Sequence, residues 1–333
     1  TILEGGAAAL QPASQKAVVA ESGLAARLAV VGRVVAEQRF FHWQLAFAEV
    51  FALRGGVDLF LGNPPWIKVE WSEAGVLGDV DPQLNLRKLS AKQVADLRQK
   101  VLSSNELADL YLQELAGTQG QGVFIASGAN YPLLRGVHGN LYKCFLERTA
   151  DLAGPVGAVG IVHQKGLFDD PSGGQLRAAL SIRLRWHLHF INKLLLFADI
   201  EDQKHYEFAV LGPPQVRPDF AQVSNLFHPR TLDESLRHDG SGHVPGIKTD
   251  QDSWDLRGHR SRIVRIDDAA LALFAGLYDA AGTAPRQARL PVIHSAEILG
   301  ILSRFAHPPH TLASLNDSEY RCVSEHLKES RQQ

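Results

Sequence analysis

The chain has 333 residues, a formal net charge of -2 and 45% apolar residues. This composition is typical of a globular protein and excludes intrinsic disorder of the chain as a whole. The near-neutral charge does not by itself indicate a nucleic-acid partner, although a local basic stripe can be hidden in a neutral total. The two cysteines, Cys144 and Cys322, form no CxxC pair, which argues against a disulfide framework and a structural zinc site.

The methionine count is zero, which is unusual for a chain of this length. We therefore expect a processed product or a fragment of a longer protein. Because few cysteines are present and no apolar run approaches the roughly 20 residues of a membrane span, we expect a cytoplasmic location and no membrane partner.

The first third of the chain combines a helical lead-in with one strand. Over residues 1–50, Leu24, Leu28, Val31 and Val35 recur at helical spacing. An apolar run at 57–62, preceded by two glycines, predicts a buried strand.

A long irregular stretch follows this strand. Residues 67–86 are rich in Gly, Asp and Pro and predict a loop, and 117–139 is glycine-rich again. Between them, Ser90 caps a predicted helix that runs to about Val101. We interpret residues 67–139 as an insertion between core elements.

Regular alternation resumes after residue 139. The predicted elements are a helix at 140–152, a strand at 156–162, a helix at 172–183 and strands at 187–196 and 206–211. This alternation predicts an α/β sheet, with a core domain over 51–215. Residues 216–333 form a C-terminal extension of mixed structure, polar and turn-rich to about residue 262, with helices predicted at 267–279 and 293–305.

One motif carries chemistry: Asn63-Pro64-Pro65-Trp66, directly after the apolar run 57–62. The prolines fix their own φ angles and have no N–H donors, so a stiff turn with free carbonyls remains. The Asn63 amide oxygen and the Pro64 carbonyl can both accept hydrogen bonds from one exocyclic amine, which favours its pyramidal, nucleophilic form. Trp66 offers a flat face to the ring that carries the amine. The alternative is a turn that only stiffens a loop.

The segment around this motif resembles the large γ-class N6-adenine DNA methyltransferases of restriction–modification and phage-defence systems. The resemblance is carried by residues 40–66, by Asn140-Leu141-Tyr142, by residues 157–166 and by His205-Tyr206-Glu207-Phe208. It implies the second half of a Rossmann-like sheet of an S-adenosylmethionine-dependent methyltransferase, with a long insertion and a C-terminal extension.

The resemblance also implies a role for each residue of the motif. Asn63, Pro64 and Pro65 would hold the N6 amine of a flipped adenine, Trp66 would stack on the base, and Phe208 would pack against it from another side. Methyl transfer from S-adenosylmethionine would need no metal. The implied partners are double-stranded DNA and other restriction or defence-system subunits.

A cofactor-binding half is missing from this pattern. Such a half needs a strand that ends in a glycine-rich turn, followed by an acidic residue at the next strand end. The glycines at 5–6, at 117–122 and at 154–160 do not follow a strand in this way. The cofactor-binding residues are therefore unknown, and we expect them upstream of Thr1.

The most basic short stretch runs from Trp254 to Arg265. Its arginines are candidates for contacts with DNA phosphates, or alternatively belong to a solvated loop and strand edge: Arg257, Arg260, Arg262 and Arg265.

Two other functions stay open at this point. Enzymes that methylate a protein glutamine amide or an RNA base also use Asn-Pro-Pro-aromatic motifs, although they more often have Tyr at the position of Trp66 and lack the long insertion. The chain could instead be a non-catalytic DNA-binding component of a defence complex.

Overall fold

A computed structural model describes residues 23–80, 90–137 and 139–306. Contacts divide the chain into two units between Gly55 and Gly56. In the first unit, the described residues form helices α1 (Leu24–Gln38), α2 (Trp43–Ala46) and α3 (Ala48–Arg54). Helix α1 confirms the helix predicted from the apolar spacing of residues 24–35.

The second unit is built on a six-stranded mixed sheet. Its strands are β1 (Val57–Gly62), β2 (Ala153–Gln164), β3 (Leu184–Ile191), β4 (His205–Leu211), β5 (Asp219–Leu226) and β6 (Val264–Asp267). Their order is β1-β2-β4-β3-β5-β6. The pairs β1–β2 and β3–β5 are parallel, whereas β4 is antiparallel to both of its neighbours and β6 is antiparallel to β5. The predicted α/β fold class is confirmed.

The second unit also contains α-helices, which are interspersed with the strands and are numbered here in chain order. They are α4 (Glu73–Val80), α5 (Ala91–Leu102), α6 (Asn105–Ala126), α7 (Leu141–Leu152), α8 (Gly174–Ser181), α9 (Arg230–Arg237), α10 (Asp268–Tyr278) and α11 (Ala296–Phe305). The main core joins the sheet to α7, α8 and α10, where Leu146, Ile161, Leu180, Phe220 and Phe274 are all buried. Full burial of each such side chain contributes about 1.5–3 kcal/mol relative to exposure.

Side chains on the opposite face of the sheet form a second, smaller cluster. Because neighbouring residues of a strand point to opposite faces, Tyr206 and Phe208 of β4 share this face while Glu207 and Ala209 point to the other. Leu188 of β3 and Val223 of β5 complete the row beside Phe208. The face that carries Tyr206 and Phe208 is therefore apolar.

The predicted insertion is helical where a loop was expected. The interval 67–86 contains α4, and the glycines at 117, 120 and 122 lie inside the 22-residue helix α6. Leu77, Val101 and Tyr111 bury one another and give these helices a small core of their own. The capped start of α5 is as predicted, because Ser90 and Gln93 form a capping box.

Strand β1 is not buried as the apolar run at 57–62 predicted. It pairs only with β2 among the described strands, and Leu59 and Leu61 are 60% and 73% exposed. Strand β3 begins at Leu184 and ends at Ile191, whereas 187–196 was predicted. It ends early because the Asn192 side chain holds residues 197–200 in a turn: it accepts a hydrogen bond from the Phe197 amide and donates to the carbonyl oxygens of Phe197 and Ile200.

One further expectation on the local pattern was wrong, because the polar, turn-rich interval before residue 262 contains strand β5 and helix α9. In α7, Tyr142 and Leu146 are buried, whereas Phe145 is 41% exposed. The boundaries predicted at residues 50 and 215 and the extension 216–333 stay predictions.

Close backbone packing between β1 and β2 depends on glycine. A Cβ added at Gly157 would lie 2.5 Å from the Val57 carbonyl oxygen, whereas a Cβ at Gly120 in α6 would meet open space. We expect Gly157→Ala to destabilise the protein by about 2 kcal/mol through overpacking and Gly120→Ala to stabilise it by up to about 1 kcal/mol through helix propensity. Urea denaturation of both variants checks this pair, and a destabilisation of similar size in both would contradict the assigned β1–β2 packing.

Candidate active site at the end of strand β1

The Asn63-Pro64-Pro65-Trp66 motif begins one residue after β1 ends. Asn63 and Pro65 are exposed, Pro64 is buried and Trp66 is half-buried. Among the described residues, the Asn63 side chain has no hydrogen-bond partner, so its amide oxygen is free to accept one. The motif therefore combines a buried proline with an open acceptor group.

The chain is anchored on both sides of this motif. Before it, Gly62 pairs with Ile161 of β2. After it, the Ile67 carbonyl accepts a hydrogen bond from the Leu141 amide at 2.9 Å, and Val69 donates to Gly139 at 3.2 Å. These bonds tie the residues after the motif to the start of α7. The turn is consequently held between β2 and α7.

Trp66 belongs to an aromatic cluster at this edge of the sheet. Its ring lies 6.0 Å from Phe197 in an edge arrangement and 6.5 Å from Tyr206 in a nearly parallel one. Tyr206 also stacks on Phe190 at 5.1 Å and contacts the edge of Phe197 at 4.9 Å. The Trp66 indole N–H is buried and has no acceptor among the described residues. We call these four residues the edge aromatic cluster.

Phe208 lies on the same face of β4, two residues beyond Tyr206. Its half-buried ring reaches over Gly160 of β2, where an added Cβ would lie 3.1 Å from Phe208 and 3.0 Å from Leu61. Glycine at this position therefore makes room for the ring. The expected neighbours Trp66 and Phe208 make no ring contact with each other; Tyr206 is the β4 residue that meets Trp66.

Three members of the edge aromatic cluster were not predicted as site residues: Phe190, Phe197 and Tyr206. Tyr206 could have been found, because strand alternation puts it on the face of Phe208. Phe197 could not, because it lies one residue beyond the strand predicted to end at residue 196, in a segment that forms a turn.

The four arginines predicted to contact DNA differ in their surroundings. Arg257 pairs with Asp255 at 2.5 Å, and this hydrogen bonding lowers the pKa of the Asp255 carboxyl. Arg265 pairs with Asp219. Arg260 is exposed and has no carboxylate partner in the described part of the chain. Of the four, Arg260 is therefore the exposed arginine whose guanidinium is not paired with a described carboxylate.

The expectation that Arg262 reaches DNA was wrong. Its side chain is 0% exposed, and its Nη2 donates to the carbonyl oxygens of Ser224 and Asn225 at 2.7 and 3.0 Å. Burial lowers the pKa of Arg262 to about 10. The residue fixes the end of β5, where Asn225 has a φ of 56°, and cannot contact a phosphate in this arrangement.

Two basic residues near this stretch were not anticipated. Lys193 and Lys248 lie 5.7 and 5.0 Å from the Trp254 ring centroid, at cation–π distance. Each lysine also pairs with an aspartate, Lys193 with Asp202 at 2.8 Å and Lys248 with Asp252 at 2.5 Å.

The described parallel strands end without a glycine-rich turn. The described parallel strands β1, β2, β3 and β5 are followed by Asn63, Lys165, Asn192 and Phe227, and none of these strands leads into a glycine-rich turn. The same residues contain no group of three or more His, Cys, Asp or Glu side chains placed to hold a metal ion. No described helix is long and apolar enough to cross a bilayer.

No known protein-family model matches the chain, and no curated protein matches it. Among solved structures, the chain is similar to a modification subunit of a putative type I restriction enzyme from Vibrio vulnificus, with 11% identity, a TM-score of 0.34, and coverage of 73% of this chain and 40% of that one. It is also similar to a type I restriction-modification methyltransferase subunit from Streptococcus thermophilus, with 15% identity, a TM-score of 0.28, and coverage of 59% and 30%.

A third similar structure is the EcoKI M protein, with 15% identity, a TM-score of 0.27, and coverage of 51% of this chain and 43% of that one. The chain thus spans less than half of each of these three proteins. Because identity and TM-score are low, we argue function from this chain's own residues.

The contrast between Arg262 and Arg260 gives a test. We expect Arg262→Ala to lower the free energy of unfolding by about 3 kcal/mol, because two buried carbonyl groups lose their donor. Arg260→Ala should change it by less than about 0.5 kcal/mol, as is usual for surface positions. Urea denaturation measures both, and a neutral Arg262→Ala would contradict the buried position assigned to Arg262.

Proposed function

We propose that this chain is the target-base half of an S-adenosylmethionine-dependent DNA methyltransferase that methylates the N6 amine of adenine. The observation that carries this proposal is the position of Asn63-Pro64-Pro65-Trp66: the motif directly follows a parallel strand, is anchored on both sides, and offers an unpartnered Asn63 amide beside the edge aromatic cluster. Ligands of open α/β sheets bind outside the carboxyl ends of such strands.

Asn63 and Pro64 would make the amine reactive. The lone pair of an aryl amine is delocalised into its ring, so the nitrogen is a poor nucleophile. Two acceptors, the Asn63 side-chain oxygen and the Pro64 carbonyl, favour the pyramidal nitrogen as positive charge develops on it. S-adenosylmethionine would supply the methyl group. Pro65 keeps the turn stiff, which holds the acceptors in place before the base arrives.

Aromatic residues would receive the base. An adenine must leave the duplex before its N6 can be reached, and a flipped base is commonly held between aromatic side chains. We assign stacking to Trp66 and a second packing contact to Phe208. The Tyr206 ring lies nearly parallel to the Trp66 ring, with 6.5 Å between the ring centroids, and we assign it the role of orienting the indole.

The methyl-donor site belongs to another part of the enzyme in this proposal. The described strand ends carry no glycine-rich turn, so the cofactor-binding half would be supplied by additional sequence or by another subunit of a restriction or defence complex.

DNA would be held by side chains of the C-terminal extension. Arg260 is our strongest candidate for a phosphate contact, because it is exposed and has no carboxylate partner among the described residues. Arg257 and Arg265 face solvent but are paired with Asp255 and Asp219, so a phosphate would have to displace a carboxylate. Lys248 of the extension and Lys193 of the core domain, both beside Trp254, are further candidates that are likewise paired with an aspartate.

The rivals are separated by their products. Methylation of a protein glutamine amide or of an RNA base would use the same motif on a different planar amine. A non-catalytic DNA-binding subunit would bind duplex DNA without transferring methyl groups to any substrate.

Replacement of Asn63 tests the catalytic assignment. In the intact protein that contains this chain, we expect Asn63→Ala to lower methyl transfer from labelled S-adenosylmethionine to duplex DNA by about 100-fold or more, the typical cost of removing one transition-state hydrogen-bonding group. Asn105→Ala, at an exposed asparagine of the insertion, is the matched control and should retain activity. Unchanged transfer by the Asn63 variant would contradict its role.

Cofactor binding by the isolated chain tests the proposed division of labour. Because no described strand end carries a glycine-rich turn, we expect calorimetry of the 333-residue chain with S-adenosylmethionine to show no binding at micromolar concentrations. Micromolar affinity would show that the cofactor site lies within these residues and that the division is wrong.

A further inference from the structure

The face of β4 opposite Phe208 holds one carboxylate enclosed by imidazoles. Glu207 is fully buried, and the sheet register places His163 of β2 and His189 of β3 directly beside it. The Nε2 of His187 lies 3.4 Å from Glu207 Oε1, and the Nδ1 of His163 lies 3.7 Å from Oε2. The methyl-transfer chemistry proposed above does not use this cluster.

Hydrogen bonds fix the protons of two of these imidazoles. The Nδ1 of His163 lies 2.9 Å from the Gln164 carbonyl oxygen, which can only accept, so Nδ1 carries the proton. The Nδ1 of His189 accepts from the Asn225 amide at 3.3 Å, so its Nε2 carries the proton and donates to His205 Nδ1 at 2.9 Å. A second proton on His189 would break the bond to Asn225.

His187 is the imidazole that remains for Glu207. Neither of its ring nitrogens makes a hydrogen bond to a described residue, and its Nε2 lies at ion-pair distance, 3.4 Å, from Glu207 Oε1. Burial lowers the pKa of His163, and it lowers that of His189 to about 3, so both are neutral at physiological pH. Burial raises the pKa of Glu207, but the imidazoles, His187 foremost, outweigh burial and lower it overall.

Aromatic and charged groups complete the surroundings of the cluster. The Tyr142 ring of α7 stacks on His163 at 5.2 Å, and the Phe168 ring lies 4.4 Å from His187. These rings shield the imidazoles from water. His205 of β4 and Lys165 act electrostatically on His189 itself. Asp169, Asp170 and Lys193 act on the neighbouring Tyr142 or His205.

We propose that Glu207 is a positioning residue: it shares a single proton with His187, and this pair holds β4 in the register that turns Tyr206 and Phe208 toward the Trp66 side of the sheet. A slip of one residue would move Glu207 into the apolar row of Val162 and Leu188 and would move Phe208 among the imidazoles. A charged or hydrogen-bonded group in the middle of β4 therefore specifies which face the aromatic rings occupy. Only the benefit to base binding rests on the proposed function.

The shared proton can be counted by proton linkage of unfolding. If the folded wild-type pair retains one proton and the folded Glu207→Gln variant retains none at these two positions, the two proteins differ by one bound proton when folded. Near neutral pH this pair gives no such difference in the unfolded chains, because an unfolded glutamate is already ionised. The unfolding equilibrium constant of wild type relative to the variant should then rise about tenfold per pH unit between about pH 6 and about pH 7.5. A ratio that does not change with pH would overturn the shared proton.

Hydrogen exchange tests the positioning role. In Glu207→Gln, we expect backbone amides of β4 to exchange at least about tenfold faster than in wild type, while those of β6, which does not touch the cluster, keep their rate. Unchanged exchange in β4 would overturn the positioning role. Neither measurement depends on methyl transfer, so a failure here is distinguishable from a failure of the proposed function.

The unmodified chain provides a second route if the variant fails to fold. Ring-nitrogen NMR of histidine-labelled protein at neutral pH should show His163 as the neutral Nδ1–H form and His189 as the neutral Nε2–H form, assigned by the loss of signals in His163→Gln and His189→Gln. A cationic ring at either position would overturn the assignment of the shared proton to His187.

Discussion

Strand β4 lies antiparallel between β2 and β3, and this pairing decides which side chains occupy each face of the sheet. Because side chains alternate along this strand, Tyr206 and Phe208 face the apolar side of the sheet while Glu207 faces the buried imidazoles. Tyr206 then meets Trp66 of the Asn-Pro-Pro-Trp turn. One strand thus sets both the aromatic surroundings of the candidate active site and the polar cluster behind it.

The candidate site combines an anchored backbone turn with an exposed side-chain acceptor. The Asn63-to-Trp66 turn is fixed by β1 before it and by hydrogen bonds to the start of α7 after it. Its acceptor group, the Asn63 amide, stays exposed. This arrangement suits a reaction in which a base arrives from outside and meets acceptors that are already in place, because preorganised groups need no rearrangement as charge develops.

The sequence predicted local features well and non-local ones poorly. The strand at 57–62, the Ser90 cap and the alternation after residue 139 depend on neighbouring residues, and the structure contains all three. The predicted burial of that strand depends on distant residues and was wrong. Helix α6 was missed because its three glycines disfavour helix, while its packing on Leu77 comes from tertiary contacts. Arg262 was predicted on the surface because charge is visible in a sequence, but the two carbonyl groups that satisfy it are not. The contact of Trp66 with Tyr206 likewise joins residues far apart in the chain.

The identity of the methylated product tests the proposed adenine methylation most directly. The full-length protein, incubated with S-adenosylmethionine and duplex DNA, can be assayed by mass spectrometry of the digested nucleosides. We predict that the digest contains N6-methyl-2′-deoxyadenosine and no methylated deoxycytidine. Methylation of RNA or of a protein amide in place of DNA, or no transfer to any of the three, would contradict the proposed DNA adenine methyltransferase activity.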